Sequence, residues 1–243
     1  MGRRQVLIIA HRGASAMAPE STQAAIQAAV RIGVDMIELD VQLTRDQRVV
    51  IFHDDRVDRT TNGQGRVSRM SYAQLSRLDA GAWFHPRFAE ERILLVSQAL
   101  RAIPEPVRIN LEIKRTPHPQ LVIRKLLQAI RETATSTRVL LSSFDAHPLR
   151  LLKGTRVPRA LICQRRPDEG LDQAIALGCQ AWHPRHSLVT ARRIDRAHAA
   201  GLRVHAWTVD ERSRARWLIR QGIDGFFTND PVRLIRLGST AVV

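Results

Sequence analysis

From residue 107 onward, short apolar runs alternate with segments of helical period, and no other feature constrains the fold as strongly. VRINLEIK (107–114) precedes QLVIRKLLQAIRET (120–133), RVLLSSF (138–144) precedes HPLRLLKG (147–154), and RALICQ (159–164) precedes LDQAIALG (171–178). AWHP (181–184), RVHAWTV (203–209) and GFFTN (225–229) are followed in the same way by TARRIDRAHAAG, ERSRARWLIRQG and PVRLIRLG. A helix between successive strands lets them lie parallel while it covers the sheet. VLIIA (6–10), STQAAIQAAVRIG (21–33) and MIELDVQLT (36–44) extend the pattern to the N-terminal region. Eight parallel strands in about 250 residues predict an α/β fold, a closed (β/α)8 TIM barrel.

RVVIFHD (48–54) breaks the alternation. It follows the preceding strand after only a few residues, whereas a parallel crossover needs a dozen or more. The pair is therefore expected to be an antiparallel hairpin turning near Arg45–Gln47, which brings His53 opposite Glu38 to Asp40. Residues 55–92, with RTTNGQG and DAGAWF and few periodic apolar positions, read as a small insertion after the hairpin, above the barrel mouth. No linker or internal repeat divides the chain, so residues 1–243 are expected to form one domain.

Composition narrows the function classes. A formal net charge of +15 invites a nucleic-acid reading, but Lys114, Lys125 and Lys153 are the only lysines and the arginines are spread along the chain. Basic tails, zinc-finger spacing and aromatic RNA motifs are absent from the sequence. The expectation is no specific nucleic-acid partner, a small-molecule substrate, and a charge that favours anionic ligands or peripheral contact with an anionic membrane. Apolar runs stay well below the roughly 18 residues of a membrane helix, and MGRRQVLIIA is too short in its apolar part for a secretory signal. Val6 stands where N-myristoylation calls for Ser or Thr, so Gly2 is read as unacylated. Cys163 and Cys179, both in apolar contexts, read as buried thiols of a cytoplasmic protein.

The chemistry lies in the strands. In MIELDVQLT, Glu38 and Asp40 share one face, and in INLEIK Asn110, Glu112 and Lys114 share another. Both strands of a barrel are covered on their outer side, so Glu38, Asp40 and Glu112 point toward a common interior and need a partner. Three carboxylates suit one hard divalent cation, Mg²⁺ or Ca²⁺. Around that ion stand His11 and Arg12 at the first strand end, His53 from the hairpin, and Lys114. Two imidazoles, a guanidinium, an ammonium and a metal make a phosphoryl-transfer set: the cations meet phosphate oxygens and the imidazoles exchange protons. An Arg or Lys filling the carboxylate cluster in place of the ion would weaken this reading.

The motifs HRG (11–13), PEST (19–22), ELD (38–40), FHD (52–54) and DRTTNG (58–63) resemble, in order, the glycerophosphodiester phosphodiesterase family. DAGAWF (79–84), LEIK (111–114), SSF (142–144), WTVD (207–210) and GIDGFFTNDP (222–231) continue the resemblance over nearly the whole chain. It implies metal ligation by Glu38, Asp40 and Glu112, acid/base catalysis by His11 and His53, and phosphate binding by Arg12 and Lys114. It also implies a substrate pocket lined by Phe144 and Trp207. Glu20 is read as orienting this cluster from behind. The implied reaction releases sn-glycerol 3-phosphate and an alcohol from substrates such as glycerophosphocholine or glycerophosphoethanolamine.

Four departures from the family pattern stand out. Ser21 replaces Asn, ILLVS (93–97) lacks the usual Pro and Glu, Asp210 replaces Asn, and Asn229 replaces Asp. Three other readings remain: lysophospholipase D activity at the same site, a basic nucleic-acid-binding barrel, and a degenerate barrel without activity. HPRH (183–186) has the spacing of a zinc pair but lacks acidic neighbours, and Trp83 with Phe84 reads either as a lid or as the insertion's own small core.

Overall fold

The computed structural model of the protein describes residues 6–238. The expectations about Gly2 and the N-terminal basic residues lie outside that range. Within it, strands and helices run β1 (Leu7–His11), α1 (Gln23–Ile32), β2 (Met36–Leu43), β3 (Val49–Ile51), α2 (Tyr72–Leu75), α3 (Val96–Ala102) and β4 (Arg108–Ile113). They continue α4 (Pro119–Glu132), β5 (Val139–Ser143), α5 (Ala146–Leu151), β6 (Arg159–Cys163), α6 (Pro167–Ala176), β7 (Ala181–Pro184) and α7 (Ala191–Ala199). The last elements are β8 (Arg203–Ala206), α8 (Arg212–Arg220), β9 (Gly225–Thr228) and α9 (Pro231–Gly238).

All strands but β3 pair in parallel, and β1 pairs with both β2 and β9, which closes the ring. The alternation along β2 explains why the ring has two interiors. Ile37, Leu39 and Val41 face outward into the main core, against Ile26 and Ala29 of α1 and Leu100 of α3. Met36 faces inward, where it packs with Ile9 and Phe227 in a much smaller cluster. The rest of the barrel interior is polar: Asn110, Ser142, His183 and His205 are all buried. Buried polar groups in these numbers are expected where a fold holds a ligand rather than a plain core.

β3 pairs antiparallel with β2, Val41 opposite Ile51 and Leu43 opposite Val49, as the short spacing predicts. The turn passes through Gln47 at φ 58°, and the Gln47 N–H donates to the Thr44 carbonyl at 3.0 Å. Continuing that ladder, the Phe52 N–H donates to the Asp40 carbonyl at 3.0 Å, so the chain delivers His53 to the barrel mouth. The segment that follows packs a second core of Val50, Phe52, Val57, Val67, Leu75 and Ile93. Gly81 is tight there, since a Cβ at that position would lie 1.9 Å from the Phe88 carbonyl oxygen. The Trp83, Phe84 and Phe88 rings stack edge to face on one another, with Trp83 part-exposed on the insertion's surface. Glu91 ties the insertion to the barrel by accepting the Ala24 N–H of α1 at 3.2 Å.

Cys163 and Cys179 are free and buried, and burial pushes the Cys179 thiol up to about 11. Among the described residues no helix is long and apolar enough to cross a membrane.

Candidate active site

Strand register gathers the sequence-predicted residues at one end of the barrel. His11 stands beside Glu38, Glu38 beside Asn110, Asp40 beside Glu112, and Glu112 beside Ser142. One carboxylate oxygen from each of Glu38, Asp40 and Glu112 falls within 4.8 Å of the others. Glu38 and Asp40 are buried, so three like charges share a poorly hydrated space. Burial, and then the charges of Asp40 and Glu112, push the Glu38 carboxyl well above its ordinary range. Glu112 is driven up to about 7, by burial first and Asp40 second.

Lys114 relieves part of that repulsion, its Nζ standing 3.2 Å from Asp40 Oδ1 and 2.9 Å from Glu112 Oε1. It does not fill the cluster. Glu38 Oε1 and Asp40 Oδ2 are buried and accept no hydrogen bond from the described residues, although Arg12 Nε lies 3.5 Å from Asp40 Oδ2. Two unsatisfied carboxylate oxygens beside a third acid fit a hard divalent cation with oxygen ligands.

Arg12 and Gly13 turn the chain sharply at the end of β1, at φ 57° and 80°. A Cβ at Gly13 would come within 2.7 Å of the Ala25 backbone, so glycine alone permits this approach. The turn aims the Arg12 N–H at Glu38 Oε2 (3.0 Å) and its guanidinium at Glu20 Oε1 (3.0 Å). Glu20 in turn receives Arg59 of the insertion at 2.7 and 2.9 Å. Arg59 also grips Asp54 at 2.7 and 3.1 Å, and Asp54 meets His53 Nδ1 at 2.6 Å. A continuous chain of charges therefore runs from Arg12 to His53. The Arg59 hydrogen bond holds the Asp54 carboxyl down at about 2.

His11 has a different partner. Its Nδ1 lies 2.7 Å from Asn229 Oδ1, just beyond β9, while its Nε2 is 3.9 Å from Glu38 Oε2. Burial, and then the Arg12 charge, lower the imidazole to about 4. Asn229 is itself held by Asp210, whose Oδ2 accepts the side-chain amide at 2.8 Å. The two departures from the family pattern are thus one feature, an amide and a carboxylate in exchanged places and bonded to each other.

His11, Arg12, Glu38, His53, Glu112 and Lys114 line one cavity of about 140 Å³, together with Phe144 and Trp207. The Phe144 and Trp207 rings meet edge to face at 5.6 Å and 89°. Ile162, Thr208, Phe227, Asn110 and His183 also line it, and the last two each keep one buried polar atom, Asn110 Oδ1 and His183 Nδ1, without a hydrogen bond among the described residues. His183 lies 3.2 Å from His205, so the first histidine of HPRH belongs to the barrel interior. A neighbouring pocket of about 460 Å³ shares Glu112, Lys114 and Phe144 and adds Arg115, Ser143 and Asp145.

Sequence reasoning did not assign Asp54, Arg59, Asn110, His183 or the pairing of Asn229 with Asp210. Asp54 and Arg59 fall within quoted motifs, FHD and DRTTNG, and Asn110 shares the face of Glu112. Asn229 and Asp210 offered only their mismatch with the family pattern.

Comparison with known proteins agrees with this geometry. The family model described as the glycerophosphoryl diester phosphodiesterase family matches residues 11–233. A glycerophosphodiester phosphodiesterase of Caldanaerobacter subterraneus subsp. tengcongensis is 36% identical over 238 residues, covering 96% of this chain and 98% of its own. One from Bacillus altitudinis is 31% identical over 240 residues, covering 95% and 97%. An Oleispira antarctica phosphodiesterase solved with the product sn-glycerol-3-phosphate superposes with a TM-score of 0.91 at 30% identity, covering 98% of each chain. With the ring of strands and this full-length similarity in hand, the chain belongs to the glycerophosphoryl diester phosphodiesterase family and is a phosphoric diester hydrolase of that type.

Proposed function

We propose that the protein hydrolyses glycerophosphodiesters such as glycerophosphocholine and glycerophosphoethanolamine to sn-glycerol 3-phosphate and the free alcohol. The observation that carries this reading is the convergence of three carboxylates, two imidazoles, Arg12 and Lys114 on one small cavity. A divalent cation, Mg²⁺ or Ca²⁺, held by Glu38, Asp40 and Glu112 would polarise a phosphoryl oxygen. Arg12 and Lys114 offset the remaining phosphate charge, and Glu20 keeps the Arg12 guanidinium in place. One imidazole of the His11/His53 pair takes a proton from the attacking water. The other gives a proton to the departing alkoxide as its bond to phosphorus breaks. Phe144 and Trp207 flank the substrate.

The adjoining 460 Å³ pocket supports a small polar alcohol over an acyl chain, because among the described residues Ile113 and Phe144 are the only apolar side chains in its lining. The site therefore favours a deacylated phosphodiester over a lysophospholipid. The two buried free cysteines accord with a cytoplasmic setting, and the positive charge with transient contact at an anionic membrane surface.

The test is release of glycerol 3-phosphate from glycerophosphocholine, glycerophosphoethanolamine and a lysophospholipid, with Mg²⁺, with Ca²⁺ and with chelator. Chelation, Glu38→Ala and His53→Ala are each expected to lower turnover by about 100-fold or more with the fold retained. Full activity in either variant would overturn the assignment.

A further inference from the structure

A hydrogen-bond chain runs from outside the cavity to His11. Asp210 Oδ1 accepts the Thr228 hydroxyl at 2.9 Å and the Asn229 backbone N–H at 2.8 Å, and its Oδ2 accepts the Asn229 side-chain amide at 2.8 Å. Asn229 Oδ1 lies 3.1 Å from Ser15 Oγ and 2.7 Å from His11 Nδ1. Asp210 is not among the residues lining the cavity.

The direction of every proton in this chain follows from its far end. A carboxylate only accepts, so the Asn229 side chain must turn its NH₂ toward Asp210. That orientation leaves Oδ1, an acceptor, facing His11, so Nδ1 must carry the imidazole proton. The lone pair is then on Nε2, the ring atom turned toward Glu38.

We propose that Asp210 is a positioning residue which, acting through Asn229, locks His11 in its Nδ1–H tautomer and presents Nε2 to the substrate as a proton acceptor. The catalytic consequence rests on the phosphodiesterase reading above, whereas the tautomer does not. His53 differs in its partner, because its Nδ1 rests directly on the Asp54 carboxylate rather than on an amide oxygen. The two histidines thus meet the substrate with unlike partners, an amide and a carboxylate, as complementary roles require.

Asp210→Asn tests the chain by reversing it. The new amide at position 210 keeps its oxygen on Thr228 and the backbone N–H, which places its NH₂ against the NH₂ of Asn229. Asn229 relieves that clash by flipping, its NH₂ then faces His11, and the imidazole proton moves to Nε2. Long-range ¹H–¹⁵N spectra of the histidines are expected to show a protonated His11 Nδ1 in the wild type and an unprotonated one in Asp210→Asn. The kcat for glycerophosphocholine is expected to fall by about 100-fold with KM changed by no more than about twofold. The exchange variant Asp210→Asn/Asn229→Asp restores an acceptor opposite His11 and is expected to regain both the tautomer and most of the rate.

An Nδ1–H tautomer that persists in Asp210→Asn, or an unchanged kcat, overturns the proposal. So does an exchange variant that melts like the wild type yet keeps the original tautomer without regaining turnover over the single variants. Should Asp210→Asn fail to fold, Asn229→Asp and the exchange variant pose the same question, since two carboxylates then face each other until one is replaced. A wild type without phosphodiesterase activity would count against the functional reading alone, and the spectra would still decide the tautomer.

Discussion

Ser21 shows how much a single residue can hold against its own preference. It lies in the left-handed region at φ 62°, its N–H donating to the Arg12 carbonyl at 2.9 Å, and its buried hydroxyl has no partner among the described residues. Left-handed backbone is costly for a residue with a Cβ, and asparagine, the family's usual choice here, tolerates it better than serine. Ser21→Gly removes both the steric penalty and the orphaned hydroxyl, against a modest loss of unfolded-state entropy. It is expected to raise the stability of the folded protein by about 1 kcal/mol, read from denaturant melts, with catalysis retained. The sequence marked Ser21 as unusual without giving its reason, because a backbone angle is invisible in a motif. His11, Glu38, Asp40 and Glu112 were legible for the opposite reason. Strand alternation alone sends such side chains to one face, and the register here brings them together.

Among the elements, the β2–β3 hairpin was legible because a few residues cannot make a parallel crossover. What the hairpin leads into was less so. Besides Glu91, the insertion holds the barrel through Arg59, which joins Glu20 of the β1–α1 connection to Asp54 beside His53. Contacts made across space between segments of irregular backbone leave no periodic trace, so only the motif around Arg59 hinted at them. Arg59 is 46% exposed, and solvent weakens such a pair as a source of stability. Its role as a spacer between the segments that carry Arg12 and His53 is less easily replaced. Arg59→Ala is expected to lower kcat/KM by about 10-fold while stability changes by less than about 1 kcal/mol, which steady-state kinetics and thermal melts together would resolve.

Over the whole molecule, the alternation of strands and helices announced the closed barrel and the convergence of its carboxylates, while the burial that raises Glu38 and Glu112 emerged only with three-dimensional register. That crowding has a thermodynamic signature. Glu112 is raised from 4.5 to about 7 in the fold, so between those values the folded protein binds more protons than the unfolded chain. Its contribution to metal-free stability is thus present at low pH and lost as pH rises through about 7. In chelator the melting temperature of the wild type relative to Glu112→Gln, in which the opposing lowered histidines are common to both proteins, is expected to fall between about pH 4.5 and about pH 7, and Mg²⁺ or Ca²⁺ should reverse that trend in the wild type. At about a hundredfold excess over Kd the ion would add ~2.7 kcal/mol, most visibly at the higher pH. A melting temperature indifferent to both pH and cation would count against the metal site. The pairing of His11 with Asn229 carries a consequence for how the enzyme is made. The two residues stand 218 positions apart, on β1 and just past β9, the strands whose pairing closes the ring. The three carboxylates proposed to hold the ion all lie in the first half of the chain, whereas His11 meets Asn229 only once β9 has docked against β1. With His11 positioned as proposed, turnover would be a built-in report of barrel closure.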